Sequence, residues 1–357
     1  MTNKKVYKEI NFLKFLLKKS VKTPIYLIFE PTNRCNSNCP FCYNKKKLNK
    51  DDNELSLEEI DKITRSMDEP LINLALSGGE PFLREDLDEV IRIFNRNIGM
   101  EFLTIPTNGL ASKKIEDKVV SISQFFSGKI TIMFSIDEIG KKHDDIRGVE
   151  GNFDRILETY ERLVELDLDN LRLGVNTCLT DKNKFRYTDI FNFVKKEMPL
   201  VETHNFSILR KTNFDQEAKP PSFDFIKKNK DELQKLALSG DFKNPKQRLM
   251  QAVRAGYYDI LKKNMEAEKR TWECYGGTLA GYLNYKGELS SCERIPPIGN
   301  LRDFNYDFVQ LWNSDRLSER RRKIKNKKCN CTHGCFVKFS TTFNLKKYPF
   351  LLKYVIR

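Results

Sequence analysis

Three cysteines with the spacing C-x3-C-x2-C, Cys35, Cys39 and Cys42, sit in one short stretch that opens at Glu30-Pro31-Thr32 and closes at Tyr43. The stretch follows an apolar run, Ile25–Glu30, that reads as a β-strand. Zinc sites usually close with four ligands, and nothing near this loop supplies a fourth. Three thiolates in one tight loop suit a [4Fe–4S] cluster with one iron left open to a small molecule. A zinc knuckle completed from a distant segment is the structural alternative. The whole chain of 357 residues has nine Cys. It shows no signal peptide and no apolar stretch near the ~20 residues that span a bilayer. That places it in the cytoplasm, where clustered Cys bind metal or do chemistry more often than they form a disulfide scaffold.

The rest of the chain alternates strand and helix. Strands are expected at Asn73–Leu76, Phe102–Pro106, Lys129–Ile136, Leu171–Leu179 and Thr203–Leu209, with helices between them. Ser56-Leu57-Glu58-Glu59 is a capping-box pattern that opens the first of these helices. Six strands in strict alternation with helices imply a parallel sheet, with ligand chemistry at the strands' C-terminal ends. Residues 1–24 read as a basic helical segment with Phe12, Leu13, Phe15, Leu16 and Leu17 among lysines. Such a helix packs on the barrel edge, or meets a membrane surface or a partner. Residues 25–210 form the strand–helix region, and 211–270 a helical linker or insertion. Residues 271–340 form a cysteine-rich unit, with a single helix expected over Phe308–Lys325, and 341–357 a basic, aromatic tail. Cys178, alone in an apolar run, reads as a small buried core residue. Lys plus Arg exceed Asp plus Glu by 63 to 49, a net +14. The excess suits an anionic partner without naming one.

Several motifs stand at the ends of these strands: Gly78-Gly79-Glu80-Pro81, Thr107-Asn108-Gly109, and Ser135-Ile136-Asp137 followed by His143-Asp144-Asp145-Ile146-Arg147-Gly148. With Cys35, Cys39, Phe41 and Cys42 they resemble the radical S-adenosylmethionine (SAM) superfamily, whose defining motif is C-x3-C-x-aromatic-C. The resemblance implies an α/β fold, a partial (β/α)6 barrel. It implies a cluster on the three cysteines whose open iron chelates SAM. One electron then splits SAM to a 5′-deoxyadenosyl radical, which abstracts hydrogen from a substrate. Gly78, Gly79 and Glu80 would hold the SAM amino group. Asn108 would lie beside SAM, Ser135 would contact its ribose, and Arg147 its carboxylate. Asp137 and His143 serve either that site or the fixing of the loop. Asn176 is a further polar residue expected to face the barrel, either toward the cofactor or satisfying backbone groups.

The second cysteine group also resembles a known pattern. Cys274, then Gly287 and Cys292 around a hairpin, then Cys329-x-Cys331-x3-Cys335, are similar to the SPASM/twitch extension of radical SAM enzymes. The first half matches. The second half is shorter than a full SPASM and has no later Cys, so it implies one auxiliary [4Fe–4S] cluster. The expected ligands are Cys274, Cys292, Cys331 and Cys335, with Cys329 as the alternative. A four-thiolate zinc site is the competing reading. Relatives with such extensions modify peptides and enzyme side chains, or act on nucleotides and aminoglycosides. The resemblance therefore points to a peptide or protein substrate, or else an anionic small molecule such as a sugar, nucleotide or lipid head group. A reductant such as flavodoxin or ferredoxin is a further partner. An iron–sulfur electron carrier that uses no SAM is the non-enzymatic alternative. No nucleic-acid-binding module is readable, so no stable nucleic-acid partner is expected.

Overall fold

A computed structural model describes residues 21–50, 53–210, 218–240, 245–326, 329 and 331–355. The expected helix of residues 1–24 falls almost wholly outside them. Six parallel strands run in sequence order: β1 Tyr26–Phe29, β2 Leu71–Leu76, β3 Met100–Thr107, β4 Lys129–Ser135, β5 Leu171–Leu179 and β6 Val201–Ile208. Helices α1 Leu57–Arg65, α2 Leu87–Asn97, α3 Ser112–Phe125, α4 Lys141–Arg147, α5 Asn152–Glu165 and α6 Tyr187–Glu197 fill the crossovers. At the start of α1 the Ser56 hydroxyl accepts from Glu59 N, and the Glu59 carboxylate accepts from Ser56 N. This reciprocal capping satisfies two otherwise unpaired donors.

The strand faces are sharply divided. Leu27, Phe29, Leu74, Leu76, Leu103, Ile105, Ile130, Ile132 and Phe134 point outward and form one core with the crossover helices. The register puts the opposite residues on the concave inner face: Tyr26 beside Asn73, Ala75 beside Thr104, Met133 beside Pro106, Ser135 beside Asn176, and Asn176 beside Asn205. Fully buried sheets are normally apolar on both faces. Here the inner face of β3 to β6 carries Thr104, Thr131, Ser135, Asn176, Asn205 and Ser207, all half-buried. A polar concave face marks where the core stops and a ligand space begins.

The segment expected to be a linker forms α7, Phe223–Leu238, and α8, Pro245–Glu266. Both pack into a second apolar core with β1 and β6, so they close the open side of the barrel. The Tyr258 hydroxyl donates to Phe206 O on the outer edge of β6, covering part of an edge that would otherwise be free.

The cysteine-rich region shares the barrel's sheet. Strand β7, Ala280–Leu283, pairs in parallel with β1, and β8 (Glu288–Ser290) and β9 (Gly299–Asn300) add antiparallel, giving nine strands in the order 6-5-4-3-2-1-7-8-9. The single helix expected over Phe308–Lys325 is two helices, α9 Phe308–Trp312 and α10 Asp315–Lys325. Asn313 ends the first and Ser314, in extended conformation, precedes the second, so the chain turns between them. The break seats Trp312, fully buried, against Gly281 of β7, where a Cβ would come within 2.9 Å of the indole. Helices α11, Gly334–Thr342, and α12, Tyr348–Val355, complete the described chain; the expected tail is thus largely helical. Helix α11 lies over the concave face, with Tyr26 stacked on Phe339 at 4.7 Å.

Candidate active site

The loop after β1 is held by side-chain and backbone contacts from four segments. Asn49 brackets Cys35, accepting from its N–H and donating to its carbonyl, both at 2.9 Å. Asn108, at the end of β3, donates to Asn36 Oδ1 (2.8 Å) and Ser37 Oγ (3.0 Å). Arg147 O accepts from Asn38 N at 3.1 Å, and Gly148 packs on the same residue, where a Cβ would lie 2.9 Å from Asn38 O. The Gly78-Gly79 pair lies flat against the loop. Gly79 N donates to Thr32 O (3.0 Å) and Glu80 N to Arg34 O (2.8 Å), while a Cβ on Gly79 would collide with the Arg34 carbonyl. Gly78 also has φ +98°, which favours glycine. The two glycines are therefore required by the seating of the cysteine loop itself.

Cys39 is buried, and Cys35 and Cys42 are half-buried. Burial pushes the Cys35 thiol up to about 12 and the Cys42 thiol up to about 11, and each is raised further by the other thiols of the triplet. Among the described residues, no three Cys, His, Asp or Glu side chains converge closely enough to hold a single metal ion. Three soft thiolate donors carried on one loop are the ligand type of an iron–sulfur cluster.

Around the triplet, Glu80 is buried and accepts from Asn108 N (2.7 Å) and Phe82 N (3.4 Å). Burial raises it to about 7, against these hydrogen bonds and the positive charge of Arg147. Each oxygen keeps capacity for a further donor. Ser135 and Asn176 share one rung of the sheet, and Asn176 Nδ2 donates to Ser207 Oγ at 3.3 Å. Arg147 points into the loop: Nη2 lies 2.7 Å from Asp137 Oδ2, Nη1 lies 3.7 Å from Cys39 Sγ, and the guanidinium stands 5.8 Å from the centre of the Phe41 ring. Asp137 is fully buried, and its other oxygen accepts from Cys178 N at 2.7 Å. His143 Nδ1 accepts from Asp137 N at 3.2 Å, and burial lowers the ring to about 3, so it is a neutral acceptor that fixes the strand exit.

Cys178 is not simply a core residue. It is half-buried and packs in a small cluster with Cys39, Phe41, Cys42, Ile146 and Leu209, beside the triplet. Sequence alternation hid this, because β5 buries one face and lines the ligand space with the other. Its rung neighbour Ser207 was equally invisible in the sequence.

The second group is drawn from three segments. Cys274 and Cys292 lie near Cys331, since a thiolate on Cys331 would raise the pKa of both, and Cys329 acts on Cys331 in the same way. Burial pushes Cys274 and Cys292 up to about 12. Cys335 is placed differently. It is exposed, and its neighbours are His333, Lys338, Arg210 and Tyr26. Burial would raise its thiol, but a hydrogen bond with His333 and the positive charges of Lys338 and Arg210 act the other way, leaving it at about 6, while burial lowers His333 itself to about 4. His333 Nε2 stands 2.6 Å from Glu293 Oε1, and Glu293 pairs with Arg210. The Arg210 guanidinium lies 4.9 Å from the centre of the Tyr43 ring, whose hydroxyl meets Ser77 Oγ at 2.7 Å. A continuous line of polar side chains thus joins the two cysteine groups. Arg210, Glu293 and Lys338 belong to no motif, and His333 sits at an unspecified position between Cys331 and Cys335, so none of the four stood out in the sequence.

An open parallel barrel, with a three-thiol loop at the exit of its first strand and a carboxylate and an arginine beside it, defines an enzyme that binds a cluster together with a small charged ligand. Residues 29–193 match the model of the radical SAM superfamily, so the barrel is a radical SAM domain. Enzymes of this superfamily use a [4Fe–4S] cluster and SAM. The chain is 27% identical over 325 residues to the AdoMet-dependent heme synthase of Methanosarcina barkeri (strain Fusaro / DSM 804), covering 86% of this chain and 87% of that protein. It is 31% identical over 181 residues to the Fe-coproporphyrin III synthase of the same organism, covering 49% of this chain and 42% of that one. In fold it is similar to Streptococcus suis SuiB bound to the precursor peptide SuiA, with a TM-score of 0.62 and 14% identity, over 94% of this chain and 77% of that chain. No helix among the described residues is long and apolar enough to cross a membrane.

Proposed function

We propose that this radical SAM enzyme removes a hydrogen atom from a substrate seated between the polar inner face of β4 to β6 and helix α11. We propose that it does so in the cytoplasm, with electrons from a flavodoxin- or ferredoxin-type donor. Residues Cys35, Cys39 and Cys42 would hold the first cluster. Cys274, Cys292 and Cys331, with Cys329, would hold one auxiliary cluster. When bound, the first cluster and SAM supply the radical. The protein's own residues bind and orient: Glu80 receives the SAM ammonium, Arg147 fixes Cys39 and faces the SAM carboxylate, and Ser135 and Asn176 meet the ribose side.

The observation that carries this reading is the concave face. Ser135, Asn176, Asn205 and Ser207 are left half-buried on one surface, with the triplet at the strand ends and Cys335 opening nearby. Two substrate classes fit. One is an acidic peptide or protein side chain. The other is a carboxylate-bearing small molecule, for which iron coproporphyrin III is a candidate given the likeness to the two M. barkeri enzymes. The test is anaerobic purification, reconstitution with iron and sulfide, then dithionite and SAM, with 5′-deoxyadenosine measured by chromatography. Product from the wild type and none from Cys35→Ala is expected. No product from fully loaded protein, with or without either candidate substrate, would overturn the reading in favour of an electron carrier.

A further inference from the structure

We propose that Lys338 is the substrate's anion-binding residue, an ammonium held inside the barrel to receive a carboxylate. The inference rests on the seating of substrate against α11. Lys338 follows Cys335 by one helical turn, and its Nζ reaches across to the inner face of β6, donating to Asn205 Oδ1 at 3.3 Å. Asn205 shares a rung with Asn176, which in turn shares one with Ser135. The ammonium therefore stands on the same polar surface as the residues expected around the SAM ribose.

An ammonium has three donors, and this one uses a single neutral acceptor. No carboxylate among the described residues pairs with Lys338. Surface lysines are solvated and need no partner, but this one is half-buried, and burial lowers its pKa. The Cys335 thiolate offsets that, while Arg254 adds a second positive charge nearby. Arg254 itself reaches the inner face one rung below, donating to Thr203 Oγ1 at 3.0 Å. A half-buried ammonium with donors to spare gains from pairing with an incoming carboxylate in low dielectric. Lysine, a compact charge on a flexible stem, suits a single carboxylate oxygen rather than a planar fork. Chain charge supports the same direction, since a +14 excess favours anionic ligands.

The test uses the reconstituted full-length protein with two probes. One is iron coproporphyrin III, followed by its Soret band, with its tetramethyl ester as neutral control. The other is a fluorescein-labelled Glu-rich decapeptide, followed by anisotropy, with a Gln-rich control. Lys338→Met should weaken binding of the carboxylate probe by about 30-fold or more, the low end for truncating one side of a buried charge pair. Lys338→Arg should recover part of the loss. The neutral control should bind equally to wild type and Lys338→Met. Which probe binds decides between small molecule and peptide. Unchanged affinity in Lys338→Met at wild-type iron content overturns the proposal, and so does the failure of both carboxylate probes to bind wild type. Loss of probe binding without any 5′-deoxyadenosine from the wild type would leave Lys338 as an anion site and remove the enzyme reading instead.

Discussion

The two cysteine groups solve one problem in opposite ways. The first is a single loop of consecutive residues, held by neighbours at fixed strand ends. The second is assembled from a residue before β7, a residue after β8 and a segment before α11, so its geometry exists only once the extension has docked on β1. Contiguity makes the first site readable from spacing alone. Assembly makes the second dependent on distant contacts, and leaves one cysteine of the run, Cys335, exposed while Cys331 is buried. The difference teaches that a cysteine's place in a motif fixes its role only where the backbone between cysteines is too short to rearrange.

The strongest way to break the comparison is to remove the contiguous site whole. Cys35→Ala with Cys39→Ala and Cys42→Ala should abolish SAM cleavage and lower iron by about four per chain, leaving about four in the extension. Iron analysis with Mössbauer spectroscopy checks this. Loss of all iron would mean the second group does not load independently.

Much of the fold was legible for the same reason as the triplet. Apolar periodicity marks β1 to β6 because one face of each strand is buried against helices, as with Leu27 and Phe29 or Ile130, Ile132 and Phe134. The end-of-strand motifs also stood out, since glycines such as Gly78 and Gly79 answer to local backbone needs. What was not legible is long-range. Arg210, Glu293, His333 and Lys338 meet from three separate segments. Cys178 looked like a core residue because strand alternation says which residues share a face, and not whether that face meets helices or a ligand. Helix α11 went unread because polar residues, Ser340, Thr341 and Thr342, are buried along with Phe336, Val337 and Phe339 and blur its apolar pattern.

The next largest effect tests how the first loop is seated. Gly79→Ala puts a methyl group into the Arg34 carbonyl, and neither backbone can yield without moving Cys35. The variant should lose on the order of 3 kcal/mol of stability, the upper range for overpacking. It should also lose the SAM-binding cluster while keeping auxiliary iron. Denaturant unfolding alongside iron analysis checks it. A normally loaded first cluster would show the loop to be more adaptable than its contacts imply.

The comparison sharpens further within the second group. Cys331→Ser should remove the auxiliary cluster, about four irons per chain, whereas Cys335→Ser should keep it. Electron paramagnetic resonance of the reduced proteins separates the two clusters. Equal losses from both variants would return Cys335 to the ligand set and make the second group as regular as its motif suggested.

The smallest effect concerns what holds the extension to the barrel. Arg302, just after β9, makes a two-pronged contact with Glu59 on α1, Nε to Oε1 at 2.7 Å and Nη2 to Oε2 at 2.9 Å, and the Tyr306 hydroxyl adds a third bond at 3.0 Å. These hydrogen bonds lower Glu59 to about 2, below its ordinary 4.5. A carboxylate lowered on folding stabilises the folded state fully above its unfolded pKa, and that contribution is lost as pH falls through the folded value. Glu59→Gln should therefore cost about 1–3 kcal/mol at neutral pH. The gap between variant and wild type should narrow as the pH drops from about 4.5 toward 2. Melting temperatures across that range check the sign, and iron analysis at neutral pH checks the site. If the assembled site depends on docking, Glu59→Gln loads less auxiliary iron while the contiguous loop fills as before. Equal loading of both would mean that pairing of β7 with β1 alone suffices to build the second site.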